Sequence, residues 1–275
     1  MMMPGSSFPE NTILVMAHPD DEALWVTSVL SRVARIVFCF SDILSAPHWS
    51  EGRRRSIAEY PLPNVTQLGI TESEVFDSAA WPEPLETEYG LAIRKGGASR
   101  RCLSESRYRG NRDRLVNALR PMLAEASCVI THSPWGEYGH EEHVQVFRVV
   151  EQLKAEIGFE LWVPGYVSNR SIPLMMRHMA GLDAVSGPLA TDAALGARLQ
   201  ALYARNRCWT WFDDYAWPTH EYFHRWKGSD AVPETPYAGA LVAMNVMWLD
   251  PQKPRKSSRP IVSRIVRRVR RLVQR

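Results

Sequence analysis

The sequence predicts an α/β fold, in which a Rossmann-like, mostly parallel sheet carries helices on both faces and is followed by a C-terminal extension. Short apolar runs without polar alternation recur between residues 10 and 165, as expected of parallel strands buried on both faces. Amphipathic segments separate these runs, and strands that alternate with helices are typical of βαβ units.

Each predicted strand is a run of about four to six mostly apolar residues. We predict strands at residues 12–17, 35–40, 65–70, 128–131 and 159–163. Each predicted helix repeats apolar side chains three or four positions apart, as Leu115, Leu119 and Leu123 do. We predict helices at residues 21–33, 51–60, 111–126, 140–153 and 191–206.

The domain boundaries follow from where this alternation stops. Residues 71–104 mix polar residues with helix breakers and indicate a long loop or insertion. We expect one domain over residues 1–250, with its core at residues 10–165 and an aromatic-rich completion at residues 166–250. Residues 251–275 form a separate basic tail.

Composition excludes several classes of protein. No apolar run approaches the roughly 20 residues that cross a bilayer, and the N-terminus lacks a secretory pattern. The four cysteines are far apart with no CxxC pair, which favours reduced thiols in a cytoplasmic protein. Residues 251–275 hold ten of the 33 Lys and Arg residues and none of the 30 Asp and Glu residues. The remainder of the chain is therefore net acidic.

A polar cluster directly follows the first predicted strand. The strand residues ILVMA are followed by His18, Pro19, Asp20, Asp21 and Glu22. One interpretation is a helix start, because carboxylates suit the first turn of a helix. The other is a metal site, because ligands in parallel sheets bind beyond the carboxyl ends of the strands.

A second cluster lies in the segment SPWGEYGHEEHVQVF, where His140 and His143 stand three positions apart at the start of a predicted helix. This spacing places both side chains on one face. Catalytic zinc takes three protein ligands and keeps one open position. His18, Asp21 and one of these two histidines would supply the ligands, and Asp20 would remain beside the metal as an acid or base.

The AHPDDE hexapeptide and the later Tyr138-Gly139-His140-x-x-His143 motif resemble the PIG-L or LmbE-like zinc-dependent N-deacetylases. The resemblance covers roughly residues 10–165. It implies an enzyme that removes an N-acetyl group from an amino sugar or glycoconjugate. Zn2+ is the implied metal, and another divalent ion such as Fe2+ would suit the same ligands.

The resemblance also implies roles for individual residues. The roles are zinc binding by His18, Asp21 and His143, general base for Asp20, oxyanion stabilisation by His140 and assistance at the carbonyl by Tyr138. Substrate contacts are expected from Arg55, Asp42, Trp135 and Glu137. The chain departs from the family pattern at Glu141 and Glu142, where Pro-Asp is frequent between the two histidines.

Two alternative functions also fit the sequence. The segment HEYFH at residues 220–224 matches HExxH, the signature of zinc metalloproteases. It continues an aromatic run that begins at Trp209, which favours packing or sugar stacking instead. A non-catalytic glycan-binding relative is the second alternative, although the complete set of motif residues argues against it.

The C-terminal residues 259–275 place apolar side chains at helical spacing, with arginines between them. A cationic amphipathic helix suits an anionic membrane surface. A solvated tail and a nucleic-acid arm are the alternatives, but a nucleic-acid arm needs no apolar stripe. We therefore expect peripheral contact with the inner face of a membrane and no nucleic-acid partner.

Overall fold

The computed structural model describes residues 8–94, 105–228 and 243–249. The strands are β1 Thr12–Met16, β2 Arg35–Asp42, β3 Val65–Thr71, β4 Glu86–Thr87, β5 Gly90–Leu91, β6 Cys128–Thr131, β7 Glu160–Pro164, β8 Tyr166–Ser168, β9 Leu182–Val185, β10 Leu189–Ala190, β11 His220–Glu221, β12 Phe223–Trp226 and β13 Asn245–Met247. The α-helices are α1 Asp21–Trp25, α2 Pro47–Ala58, α3 Glu105–Leu123, α4 Glu141–Ile157, α5 Ile172–His178 and α6 Ala193–Arg205. Two single-turn 3-10 helices occur at Leu30–Arg32 and Met179–Gly181.

The central sheet has seven strands in the order β3-β2-β1-β6-β7-β12-β9. The first five are parallel, and β12 runs antiparallel to both β7 and β9. Helices flank this sheet, which confirms the predicted α/β fold. The chain moves outward from β1 to β2 and β3 on one side and to β6 and β7 on the other. The carboxyl ends of β1 and β6 therefore form the topological switch point, where sheets of this kind bind ligands.

Strand β1 is buried on both faces, which explains its unbroken apolar sequence. Ile13 and Val15 pack in one core cluster with side chains of α3 and α4, such as Leu119 and Phe147. The alternate β1 residues, Leu14 among them, point to the other face and are also fully buried. Because both faces of β1 are packed, the strand cannot shift along the sheet, and the chain leaves the sheet near His18.

The helix predicted at residues 21–33 is shorter than expected, because α1 ends at Trp25 and only the 3-10 turn follows. A carboxylate from a distant segment takes the backbone donors that would have extended the helix. Glu221 accepts hydrogen bonds from the backbone N–H groups of Thr27 and Ser28, at 3.1 and 2.9 Å, and from both of their hydroxyls. Tertiary contacts thus override the local pattern.

Residues 210–216 belong to a second compact unit, apart from the main body of the described chain. Within it, the ring of Trp211 packs edge-on against Phe212 and Tyr215. The predicted amphipathic tail lies outside the described residues. Among the described helices, none combines the length and the apolar character that crossing a membrane demands. Cys39, Cys128 and Cys208 are buried and unpaired.

Candidate metal centre

The AHPDDE segment turns sharply where β1 ends and α1 begins. Asp20 adopts a backbone φ of 111°, a region that L-residues rarely occupy. His18, Asp20, Asp21 and Glu22 are all almost fully buried. Ionised groups persist in such surroundings only when partners compensate them, and here the backbone N–H of His18 donates to Asp21 Oδ2 at 2.7 Å.

The second motif stands at the start of α4. His140 is the N-cap residue, and its Nδ1 accepts a hydrogen bond from the backbone N–H of Glu142 at 3.1 Å. The rings of His140 and His143 stack with centroids 4.6 Å apart and an interplanar angle of 11°. As the spacing predicts, both side chains therefore lie on one face of the helix start.

The two motifs converge on the carboxylate of Asp21. Its Oδ2 lies 3.3 Å from His18 Nδ1, and its Oδ1 lies 3.3 Å from His143 Nε2. His18, His140 and His143 each place a ring nitrogen within 4.8 Å of the others. A carboxylate oxygen of Asp21 and ring nitrogens of His132 and His143 form a second group within the same distance. Segments more than a hundred residues apart thus bring two imidazoles and a carboxylate to one buried point.

His132 is a member of this cluster that the sequence prediction missed. It follows β6 directly, and His18 lies two residues beyond the end of the neighbouring strand β1. This similar position after a parallel strand is the signal that could have found it. The backbone N–H of Ala17 donates to His132 Nε2 at 2.7 Å. Asp21 Oδ2 lies 3.4 Å from the same nitrogen.

Glu137 is fully buried beneath the histidines. Its Oε2 lies 2.8 Å from His132 Nδ1 and 2.7 Å from His143 Nδ1. Burial raises the pKa of this carboxyl, but the two facing imidazoles outweigh burial and bring the pKa down to about 2. Glu137 is expected to contact the substrate; in the structure its carboxylate is buried against His132 and His143, and contact with the substrate stays a prediction.

Two further carboxylates face the other side of His18. Glu142 Oε2 lies 3.0 Å from His18 Nε2, and Glu72 Oε1 lies 3.5 Å from the same nitrogen. Arg53 forms a buried ion pair with Glu72. Burial lowers the pKa of His18, but Glu72, Asp21 and Glu142 raise it to a net value of about 10. The site thus balances its buried charges through direct pairs.

The remaining predicted substrate contacts fall in different surroundings. Trp135 is fully buried, and its indole N–H donates to the Tyr166 carbonyl at 2.6 Å; its contact with the substrate stays a prediction. Arg55 is exposed, and Asp42 is partly exposed and pairs with Arg54 at 2.6 Å. Asp42 is the last residue of β2, Arg55 lies on the following helix α2, and both are accessible to solvent.

Aromatic rings border the histidines. The Tyr138 ring lies 5.3 Å from that of His143 and 5.8 Å from that of His140, measured between centroids. Phe76, which is partly exposed, lies 5.0 Å from His140 and 5.9 Å from Tyr138. Phe76 belongs to the segment that the sequence predicted to be a long loop or insertion. Four side chains hold this segment in place through hydrogen bonds and an ion pair: those of Asn111, Glu141, Glu142 and Arg170.

The HExxH segment does not form a metalloprotease helix. Its residues lie in β11 and β12, so the helical spacing that would place two histidines on one face is absent. His220 is exposed, and His224 Nε2 lies 2.8 Å from the Ala243 carbonyl oxygen. Glu221 binds Thr27 and Ser28, as described above. Among the described residues, no candidate metal cluster includes this segment.

Solved structures of two deacetylases are similar to the chain in fold. No protein-family model matches the chain, and no curated protein matches it. A teicoplanin deacetylase, solved in its zinc-inhibited form, is similar in structure with 10% identity and a TM-score of 0.48, covering 78% of this chain and 97% of the other. The A40926 pseudoaglycone deacetylase has 14% identity and a TM-score of 0.44, covering 78% and 96%.

Proposed function

We propose that the chain is a metal-dependent N-deacetylase, a hydrolase that removes an N-acetyl group from an amino sugar or glycoconjugate. One observation carries this proposal. A buried carboxylate, Asp21, stands between nitrogens of His18 and His143, and His143 Nε2 is a buried atom without a hydrogen-bond partner among the described residues. A buried polar atom left unpaired is costly unless a ligand completes it.

The side chains present fit a divalent cation. Two imidazoles and one carboxylate form a donor set typical of catalytic zinc, and Fe2+ accepts the same ligands. We assign His18, Asp21 and His143 as the residues that would hold the metal. When bound, the metal would polarise the amide carbonyl and lower the pKa of water to about 7.

The residues around the ligands supply the remaining chemistry. Asp20, adjacent to the ligand Asp21, accepts the proton of the attacking water as general base. His140, stacked on His143, donates to the oxyanion of the tetrahedral intermediate, and Tyr138 assists at the same carbonyl. Asp20 or His140 then returns a proton to the departing amine. Arg55 and Asp42 are the proposed sugar contacts.

Mass spectrometry of a panel of N-acetylated glycoconjugates tests the function. Incubation with zinc-loaded protein should remove one acetyl group from at least one member of the panel. Asp20→Asn should retain zinc and lose at least about a hundredfold in rate, whereas His18→Ala should lose the metal. Near-normal turnover by Asp20→Asn would contradict the assigned roles, and an unchanged panel would favour a binding protein that no longer turns over.

We also propose peripheral membrane contact through residues 259–275, consistent with a cytoplasmic protein at the inner face of a membrane. The support is the sequence pattern of that segment alone. The full chain should sediment with vesicles that contain phosphatidylserine, and less so as salt is raised. A truncation that ends at Asp250 should stay in the supernatant, and equal binding by both forms would exclude the idea.

A further inference from the structure

The hydrogen-bond partners of His143 define which of its nitrogens carries the proton. Nδ1 lies 2.7 Å from Glu137 Oε2, and a carboxylate only accepts, so the hydrogen sits on Nδ1. The lone pair is then on Nε2, the atom that faces Asp21 Oδ1 at 3.3 Å and has no hydrogen-bond partner among the described residues.

The carboxylate of Glu137 accepts from His132 as well as from His143. Because the N–H of Ala17 donates to His132 Nε2, the hydrogen of this ring is also on Nδ1 and points to Glu137 Oε2 at 2.8 Å. The other oxygen of Glu137 accepts from the backbone N–H of Ser133 at 2.6 Å. Three donors therefore hold one buried carboxylate against two rings, which fixes its orientation.

The ring of His18 has the opposite arrangement. Its Nε2 faces Glu142 Oε2 at 3.0 Å, with Glu72 behind, so this nitrogen carries the hydrogen. Its Nδ1 is the atom directed at Asp21. Glu142 is anchored in turn, because its second oxygen accepts from the backbone N–H of Ser73 at 2.6 Å.

We propose that Glu137 and Glu142 are positioning residues that hold the two histidines in opposite tautomers. Glu137 keeps His143 as the Nδ1–H form, and Glu142 keeps the hydrogen of His18 on Nε2 when a cation replaces the proton at Nδ1. His143 then offers Nε2, and His18 offers Nδ1, to one cation beside Asp21. This inference rests on the proposed metal site and assigns Glu137 a task other than contact with the substrate.

Zinc affinity, measured by competition with a chromophoric chelator, gives the first test. Glu137→Gln and Glu142→Gln keep the shape of the side chain but remove its charge and turn an acceptor into a donor against Ser133 or Ser73. Each variant should bind zinc about 10- to 100-fold more weakly, the range typical of partners that orient metal ligands.

Glu141→Gln is the matched control, because Glu141 is the immediate neighbour of Glu142 and is equally buried. Its carboxylate accepts from the backbone of Ser78 and Ala79 and from the Trp81 indole, and it makes no hydrogen bond to a histidine within the described part of the chain. Glu141→Gln should lower the free energy of unfolding and leave zinc affinity within about twofold of wild type. Equal zinc affinity of all three variants and wild type would overturn the proposal.

Nitrogen-15 NMR of the histidine rings in zinc-loaded protein gives a second readout. The shifts should show metal at Nε2 of His143 and at Nδ1 of His18, and the reverse at either ring would overturn the proposal. If wild type takes up no zinc, the proposed function itself fails. In that case the tautomer of His143 in the metal-free protein tests the orienting role of Glu137. Loss of the Nδ1–H form in Glu137→Gln would support this role, and an unchanged tautomer would exclude it.

Discussion

The backbone N–H of Asp20 donates to Glu22 Oε2 at 3.0 Å, across the turn at which Asp20 has a φ of 111°. The other oxygen of Glu22 accepts from the hydroxyls of Tyr60 and Tyr203, at 2.9 and 2.7 Å. A non-glycine residue at such a φ persists only when its surroundings hold it. The last residue of the AHPDDE hexapeptide therefore secures the backbone of the proposed general base.

Glu22 should make stability depend on pH. Burial, with a contribution from the neighbouring charge of Asp20, raises the pKa of Glu22 from 4.5 to about 8. A carboxyl whose pKa is raised by folding stabilises the native state fully below pH 4.5, and this contribution is lost as pH rises through 8. Glutamine mimics the protonated acid. In urea unfolding, the free energy of unfolding of metal-free wild type should thus fall between pH 5 and about 8 relative to that of Glu22→Gln. Parallel pH profiles of the two proteins would contradict the assignment.

Arg53 and Arg54 are neighbours in sequence and should differ in their effect on stability. Arg53 is 3% exposed and pairs with the buried Glu72, whereas the ion pairs of Arg54 with Asp42 and Glu51 are on the surface. Arg53→Ala removes the closest cation from the buried carboxylate of Glu72, leaving only His18 at 3.5 Å among the described residues, and should cost about 3–5 kcal/mol. Arg54→Ala should cost less than about 1 kcal/mol. Urea denaturation of both variants decides, and equal losses would show that the Arg53 pair is not effectively buried.

The convergence of the two motifs was predictable from sequence because it depends on topology. Parallel strands end at one edge, so His18 after β1 and the loop after β6 had to lie close together. The positions of Glu137 and Trp135 were not predictable in this way. Their burial depends on the conformation of the loop between β6 and α4. A Trp or a Glu at these positions does not by itself indicate whether its side chain faces the core or the substrate.

Helix register explains a second difference between sequence and structure. Three consecutive arginines precede Ser56 on α2, and the sequence favoured Arg55 as the residue near the site. Only Arg53 lies on the helix face that turns toward β3 and Glu72. The predicted extension of α1 to residue 33 fails for a related reason, because Glu221 approaches from almost two hundred residues away.

Glu221 should be a structural residue instead of a catalytic one. Four donors from Thr27 and Ser28 converge on its buried carboxylate. Glu221→Ala would leave those donors without their acceptor and should lower the free energy of unfolding by at least about 2 kcal/mol. The exposed neighbour His220 serves as control, since His220→Ala should change stability by less than about 0.5 kcal/mol. Thermal and urea unfolding measure both effects, and an unaltered Glu221→Ala variant would contradict this role.

Substitution of His143 or His224 should distinguish the proposed metal site at Asp21 from a metalloprotease site at the HExxH segment. The His224 ring lies on β12, where burial lowers its pKa and the Ala243 carbonyl occupies Nε2. His224→Ala should therefore retain one zinc per chain. His143→Ala removes the buried nitrogen that lacks a hydrogen-bond partner among the described residues and should retain none. Inductively coupled plasma mass spectrometry of the dialysed proteins gives the stoichiometry. A chain that kept its zinc without His143 and lost it without His224 would transfer the metal to the HExxH segment, whose extended backbone would then have to refold as a helix to hold it.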